Sequence, residues 1–195
     1  MVNKDKYTPM LLTDIERIIN KSLDLLYSKD KKIFKNDLCE RCIAFRFGLY
    51  FYQIMQEEKY SDYDIDMEYN RHYANIKYTQ KLKNGTYPDL IVHKRNTDEN
   101  NLLVIEFKKW KKNYTIKRLI KDDITKLKEF VDRQGEYSYS YGASILFAKE
   151  RKDVSITWVW VENNRLHKKK NRGTTTTQHK RNKNQHKSEP SVVEK

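Results

Sequence analysis

Apolar residues recur at helical spacing in three stretches of the chain and gather into short β-branched runs in several others. In TPMLLTDIERIINKSLDLLY, Leu11, Leu12, Ile15, Ile18, Ile19, Leu23 and Leu26 share one face. This predicts an amphipathic helix over about 9–27, with Thr8 as N-cap and Pro9 at its first position. A second helix is expected from near Asn36 to about Gln56, within NDLCERCIAFRFGLYFYQIMQ. RLIKDDITKLKEFVDRQ supplies a third, with Leu119, Ile120, Ile124, Leu127, Phe130 and Val131 at helical spacing. Strands are expected near 63–69, 75–79, 88–93 and 102–109, with NGTYP at 84–88 as a turn. YGASILFA and VSITWVWV close the pattern as two further strands. The order of elements predicts an α/β domain with a mixed sheet flanked by helices.

The runs PDLIVH and NLLVIEFKKW, separated by a polar stretch rich in Asn and Asp, read as a β-hairpin. Side chains alternate along a strand, so Glu106 and Lys108 share one face while Ile105 and Phe107 point the other way. An acid and a lysine thus project together from an apolar strand, and burying them without partners costs roughly several kcal/mol. A hard divalent cation held by Asp89 and Glu106 would compensate, because Mg²⁺ favours one or two carboxylates plus waters and phosphate oxygens. Taken singly, Asp89 also reads as a turn residue after Pro88, and Glu106 with Lys108 as an exposed strand face carrying a cross-strand ion pair. The combination with apolar flanks favours a site.

Pro88-Asp89 and Glu106-Phe107-Lys108 together resemble the two halves of the motif of the PD-(D/E)xK nuclease superfamily, also called restriction endonuclease-like. EYNRHY at 68–73, with YPDLIVHKR and NLLVIEFKK, is similar to small bacterial and mobile-element members of that superfamily, over about 36–161. The resemblance implies a restriction endonuclease-like sheet, a bound Mg²⁺ (with Mn²⁺ as substitute), and hydrolysis of phosphodiester bonds, most naturally in DNA, by an endonuclease or exonuclease. It implies metal ligation by Asp89, Glu106 and the backbone carbonyl of Phe107, with Lys108 positioning the attacking water. Glu40, on the preceding helix, matches a glutamate often found there, although a helix glutamate is commonly solvated. Lys126 resembles a Lys or Gln that some members carry on the helix after the ExK strand. It reads equally as a surface lysine paired with Asp122 or Asp123. Glu68 is a further acidic candidate, or an edge residue facing Arg71. A catalytically inactive nucleic-acid-binding module, or an accessory subunit of a defence or mobile-element complex, is the alternative reading.

Charge sharpens the picture. The 195 residues carry a formal net charge of +13, which points toward polyanions. Ten Lys or Arg against Glu189 and Glu194 place about +8 of it in residues 163–195, leaving about +5 for residues 1–162. The expected division is therefore a nuclease-like domain over 1–162 and a disordered basic tail over 163–195, either attracting phosphates or merely solubilising. With 14 Tyr, 7 Phe and 3 Trp, the remainder has ample material for a core. Lys109, Lys111, Lys112 and Lys117, interleaved with Trp110 and Tyr114, suggest a basic and aromatic rim for nucleic acid, although a solvated loop has the same letters.

Cys39 and Cys42 form one C-x2-C with no second pair, so two buried structural thiols are expected rather than a zinc site. The chain start lacks the layout of a signal peptide, and no stretch reaches the roughly 18 apolar residues of a membrane span, so a cytoplasmic protein with no membrane partner is expected. A homodimer or larger nuclease complex would serve if both strands of a duplex are cut.

Overall fold

The computed structural model describes residues 10–58, 60–72, 75–78, 86–97, 99–110 and 116–172. Three helices come first: α1 (Leu12–Lys29), the short α2 (Lys31–Lys35) and α3 (Glu40–Glu57). They are followed by β1 (Asp64–Met67), a two-stranded ribbon of β2 (Arg71–His72) and β3 (Asn75–Ile76), then β4 (Leu90–His93) and β5 (Leu103–Lys109). Helix α4 (Ile116–Val131), β6 (Tyr141–Phe147), β7 (Ser155–Glu162) and β8 (Arg165–Arg172) complete the order.

One six-stranded sheet runs β1-β4-β5-β6-β7-β8. β5 and β6 are parallel and every other pair is antiparallel, so the sheet is mixed. A parallel neighbour requires a crossover, and α4 makes it. Both faces of the central strands are buried, which is why LIV and LVI read as continuous apolar runs rather than alternating ones. Leu90, Leu103, Ile105, Phe107 and Ile145 pack with α1 and α3, while Ile91 and Val104 pack with Ile124, Leu127, Phe130 and Val131 of α4. Gly142 lets α4 approach β6: a Cβ there would lie 3.3 Å from Leu127.

The predicted α/β class and mixed sheet with flanking helices are present. Several boundaries differ. Helix α1 begins at Leu12, and Thr8 and Pro9 lie outside the described residues. The expected strand at 75–79 is a minimal ribbon, centred on β2 and β3. Residues 163–172, expected to belong to a disordered tail, instead form a turn and β8, paired along its whole length with β7. Asn163 and Asn164 both have positive φ (50° and 58°), the geometry of the tight hairpin turn that Asn tolerates. Edge position explains the low hydrophobicity of β8, since Lys-rich edge strands discourage pairing with another chain. Lys169 reaches Glu16 of α1 at 2.8 Å, and His167 stacks on Trp160 with ring centroids 5.2 Å apart. Residues 173–195 lie outside the described residues.

Cys39 and Cys42 are exposed rather than buried, with their Sγ atoms 3.1 Å apart. They occupy the N-cap and first turn of α3, ahead of the stripe of Ile43, Phe47 and Phe51 that enters the core. Among the described residues no helix is long and apolar enough to cross a membrane.

Candidate active site

The site is assembled at the end of β5 where the strand leaves the core. Phe107 anchors this end. Its ring stacks on Phe147 and meets the edge of Phe47, each with centroids 5.2 Å apart, on the α1 and α3 side of the sheet. Strand alternation then obliges Glu106 and Lys108 to face α4. The register that pairs Leu90 with Ile105, continued by one residue, sets Asp89 opposite Glu106. The Phe107 N–H donates to Asp89 Oδ2 at 2.6 Å, so the hairpin backbone itself orients that carboxylate. The Glu68 N–H donates to the Asp89 carbonyl at 3.2 Å and fixes the residue from the β1 side.

Lys108 and Lys126 divide the acids between them. Lys108 Nζ donates to the Phe107 carbonyl at 2.7 Å and lies 3.5 Å from Asp123 Oδ1 and 3.9 Å from Glu40 Oε1. Lys126 Nζ donates to the Tyr87 carbonyl at 3.1 Å and approaches Glu106 Oε1 to 2.7 Å. That approach is an ion-pair contact outside hydrogen-bonding angles, so Glu106 Oε1 is buried without a hydrogen bond, and so is Asp123 Oδ2. Glu106 is only 4% exposed.

Burial raises the Glu106 carboxyl to about 8; Lys126 opposes this, and the charges of Asp89 and Asp123 add to it. Asp123 is raised to about 6, again first by burial, with Lys108 opposing and Asp89 reinforcing. Burial works against the charge on Lys108, but Asp123, Glu40, Asp89 and Glu106 outweigh it and the net direction is upward. Four carboxyl groups thus surround two ammonium groups, and the surplus is negative.

A hard cation fits this donor set. Asp89 and Glu106 offer carboxylate oxygens, Glu106 Oε1 lacks a hydrogen bond, and the Phe107 carbonyl is adjacent. Among the described residues no three acidic, His or Cys side chains form a preassembled metal cluster. Mg²⁺ seldom asks for one, because it keeps several waters and takes one or two carboxylates.

The remaining candidates separate clearly. Glu40, in the first turn of α3, accepts from the Lys109 N–H at 2.7 Å and so reaches the site's edge. Glu68 pairs with Arg41 at 3.1 Å, and both line a cavity of about 260 Å³ with Glu40, Phe45 and Asp89. Lys126 is at the site rather than on the surface. Lys109 Nζ lies 2.6 Å from Asp37 Oδ1 and donates to the carbonyls of Asp37 and Leu38, which ties β5 to the turn before α3. Trp110 is exposed, while Lys111, Lys112 and Tyr114 lie outside the described residues, as does the side chain of Lys117.

Asp123 is the functional candidate that sequence reasoning overlooks except as a surface partner for Lys126. Its signal is position: it lies three residues after Ile120 and four before Leu127, an acid inside the apolar stripe of α4. Size would misplace the site, since a larger cleft of about 770 Å³ lies elsewhere, lined by Met10, Tyr63, Arg133 and Trp160 and by none of these four acids.

Neither a scan against protein-family models nor searches of curated proteins and solved structures finds a match to this chain.

Proposed function

We propose that this chain is a metal-dependent nuclease of the PD-(D/E)xK type, with a restriction endonuclease-like fold, that hydrolyses phosphodiester bonds, most naturally in DNA. The observation that carries the reading is Glu106, buried on the α4 face of β5, opposite Asp89 and two residues from a lysine whose ammonium is half surrounded by acids. The strand arrangement supports it: a meander of β1, β4 and β5, then the α4 crossover to a parallel β6, follows the helix α3 that carries Glu40.

Asp89 and Glu106 would hold Mg²⁺, or Mn²⁺ in its place, with the Phe107 carbonyl as a further oxygen and Glu40 at the site's edge. Bound there, the ion would lower the pKa of a water and offset charge developing on the phosphate. The chain's own groups do the positioning. The Phe107 N–H holds Asp89 in one orientation. Lys126 keeps Glu106 from being an isolated buried charge. Lys108, 21% exposed in its side chain and drawn toward Asp123 and Glu40, can hydrogen-bond an attacking water and the oxygen that becomes more negative as the bond breaks. Asp123 acts through Lys108 and is a positioning residue.

The test is cleavage of supercoiled plasmid and of linear single-stranded DNA with Mg²⁺, Mn²⁺ or EDTA, alongside Lys108→Ala. Metal-dependent nicking or digestion that disappears in the variant is the expected result. Full activity in purified Lys108→Ala would overturn the assignment. Salt-sensitive binding without any cleavage would favour the module that binds nucleic acid without chemistry.

A further inference from the structure

Phe45 lines the cavity beside Asp89 and Glu40 and is nevertheless 54% exposed. It is the first of three large apolar side chains that α3 turns to solvent, followed by Leu49 and Tyr52. Spacings of four and three residues put them on one stripe. The fold does not need that stripe, because Ile43, Phe47, Phe51 and Ile54 already bury the opposite side of the helix in the core. One turn before Phe45, the Arg41 side chain is 86% exposed and is held at the cavity mouth by Glu68.

We propose that this face of α3, from Arg41 through Phe45 and Leu49 to Tyr52, is a track on which single-stranded nucleic acid lies as it enters the cavity next to Asp89. The proposal rests on the nuclease reading and names its substrate class. Three arguments select this occupant. The face is continuous with the candidate site, since Arg41 and Phe45 belong to both. Its chemistry is that of a single-strand platform, with rings for base planes and a guanidinium for a phosphate. Its spacing also disfavours a stacked duplex. The two rings, Phe45 and Tyr52, are seven residues apart, about 10 Å along the helix, whereas bases within a duplex strand are about 3.4 Å apart and stacked on one another. Only bases drawn away from one another, with a free face, can settle between Phe45 and the side chains that follow. A second copy of the chain is the less favoured occupant, because it would bring together two molecules of formal charge +13.

The experiment measures binding without chemistry. Fluorescence anisotropy of a labelled oligothymidylate, and of a blunt duplex of equal length, is recorded with the full chain in EDTA. Wild type is expected to bind the single strand about tenfold tighter than the duplex, and Phe45→Ala and Tyr52→Ala each to weaken single-strand binding by about tenfold. Phe45→Trp restores it, and Phe45→Leu, which keeps apolar bulk without a ring, does not. Equal affinity for both probes, or single-strand affinity unchanged in the Ala and Leu variants, overturns the proposal. So does a dimer seen by sedimentation that Phe45→Ala dissociates while nucleic-acid affinity stays the same. The two readings fail separately: a chain that binds through Phe45 but never cuts with Mg²⁺ loses the nuclease assignment alone. A chain that cuts duplex DNA and ignores Phe45→Ala loses only the track.

Discussion

Phe107 and Glu106 are neighbours on β5, both buried, and they face opposite sides of one sheet. On the Phe107 side the contacts of the ring are apolar: three aromatic rings interlock and α1 and α3 close over them. On the Glu106 side four carboxyl groups and two ammonium groups share one corner, and two buried oxygens lack hydrogen bonds. The first face lowers the free energy of the folded chain. The second raises it, because buried charge without full compensation is costly. The two faces are mechanically one object, since the aromatic lock on Phe107 also aims its N–H at Asp89. A well-packed face thus holds a poorly compensated one in place, as expected where strain or mismatch serves a site.

Substitutions on the two faces should therefore part company. The largest effect is expected from Asp89→Asn, which keeps shape but removes a charge from the polar face. Metal-dependent cleavage should drop by about 10³-fold or more, while urea unfolding shows little loss of stability. An unfolded Asp89→Asn would mean that this face also stabilises the fold and would erase the distinction. Phe107→Ala should behave oppositely. Removing a ring from this core is expected to cost about 3–5 kcal/mol in chemical denaturation, with activity falling only because Asp89 loses its fixed partner.

Glu106→Gln sharpens the contrast further. In EDTA it is expected to change thermal stability little, because relief from the charges of Asp89 and Asp123 is offset by loss of the charge that faces Lys126. Mg²⁺ should raise the melting temperature of wild type but not of this variant, by the ordinary linkage of ligand binding to folding. Equal Mg²⁺ stabilisation of both chains would remove Glu106 from the candidate metal ligands.

The apolar face is largely readable from sequence, and the polar face only in part. LIV and LLVI, helix-spaced leucines and isoleucines, and the polar gap between the strands specify the hairpin that brings Asp89 opposite Glu106. Periodicity also places α4, but it hides Asp123, since the adjacent acid Asp122 makes the pair look like a solvated edge. Whether Lys126 turns toward β5 or toward solvent depends on how α4 is rolled against the sheet, which no local pattern states. Lys109 illustrates the same limit: a lysine in a basic run looks free, yet its ammonium closes the turn at Asp37 and Leu38. Strand β8 escapes hydrophobic pattern reading altogether, because an edge strand has little to bury, and only the Asn163-Asn164 turn announces it.

The smallest effect tests whether charge on the α4 side of the sheet is costly in itself or only where it is undercompensated. Asp66, His93 and Arg95 lie where β1 pairs with β4, and here the partners suffice. Asp66 Oδ2 is 2.9 Å from His93 Nε2 and accepts from Arg95 Nε at 2.9 Å, while a second Arg95 nitrogen reaches Oδ1. Burial alone would push Asp66 up, but the bonds from His93 and Arg95 prevail and bring its carboxyl down to about 2. An acid with a depressed folded pKa contributes stability that is present above its unfolded value, near 4, and is lost as the pH falls through about 2. Because Arg95 is half exposed, solvent screening trims the contribution to about 1 kcal/mol. Asp66→Asn should therefore lower stability by roughly that amount at neutral pH, and the difference from wild type should shrink below pH 4. A stabilising Asp66→Asn would show that carboxylates on this side of the sheet are unfavourable even when fully partnered. The contrast between a compensated cluster at β1 and an undercompensated one at β5 would then give way to a general penalty for charge beneath α4.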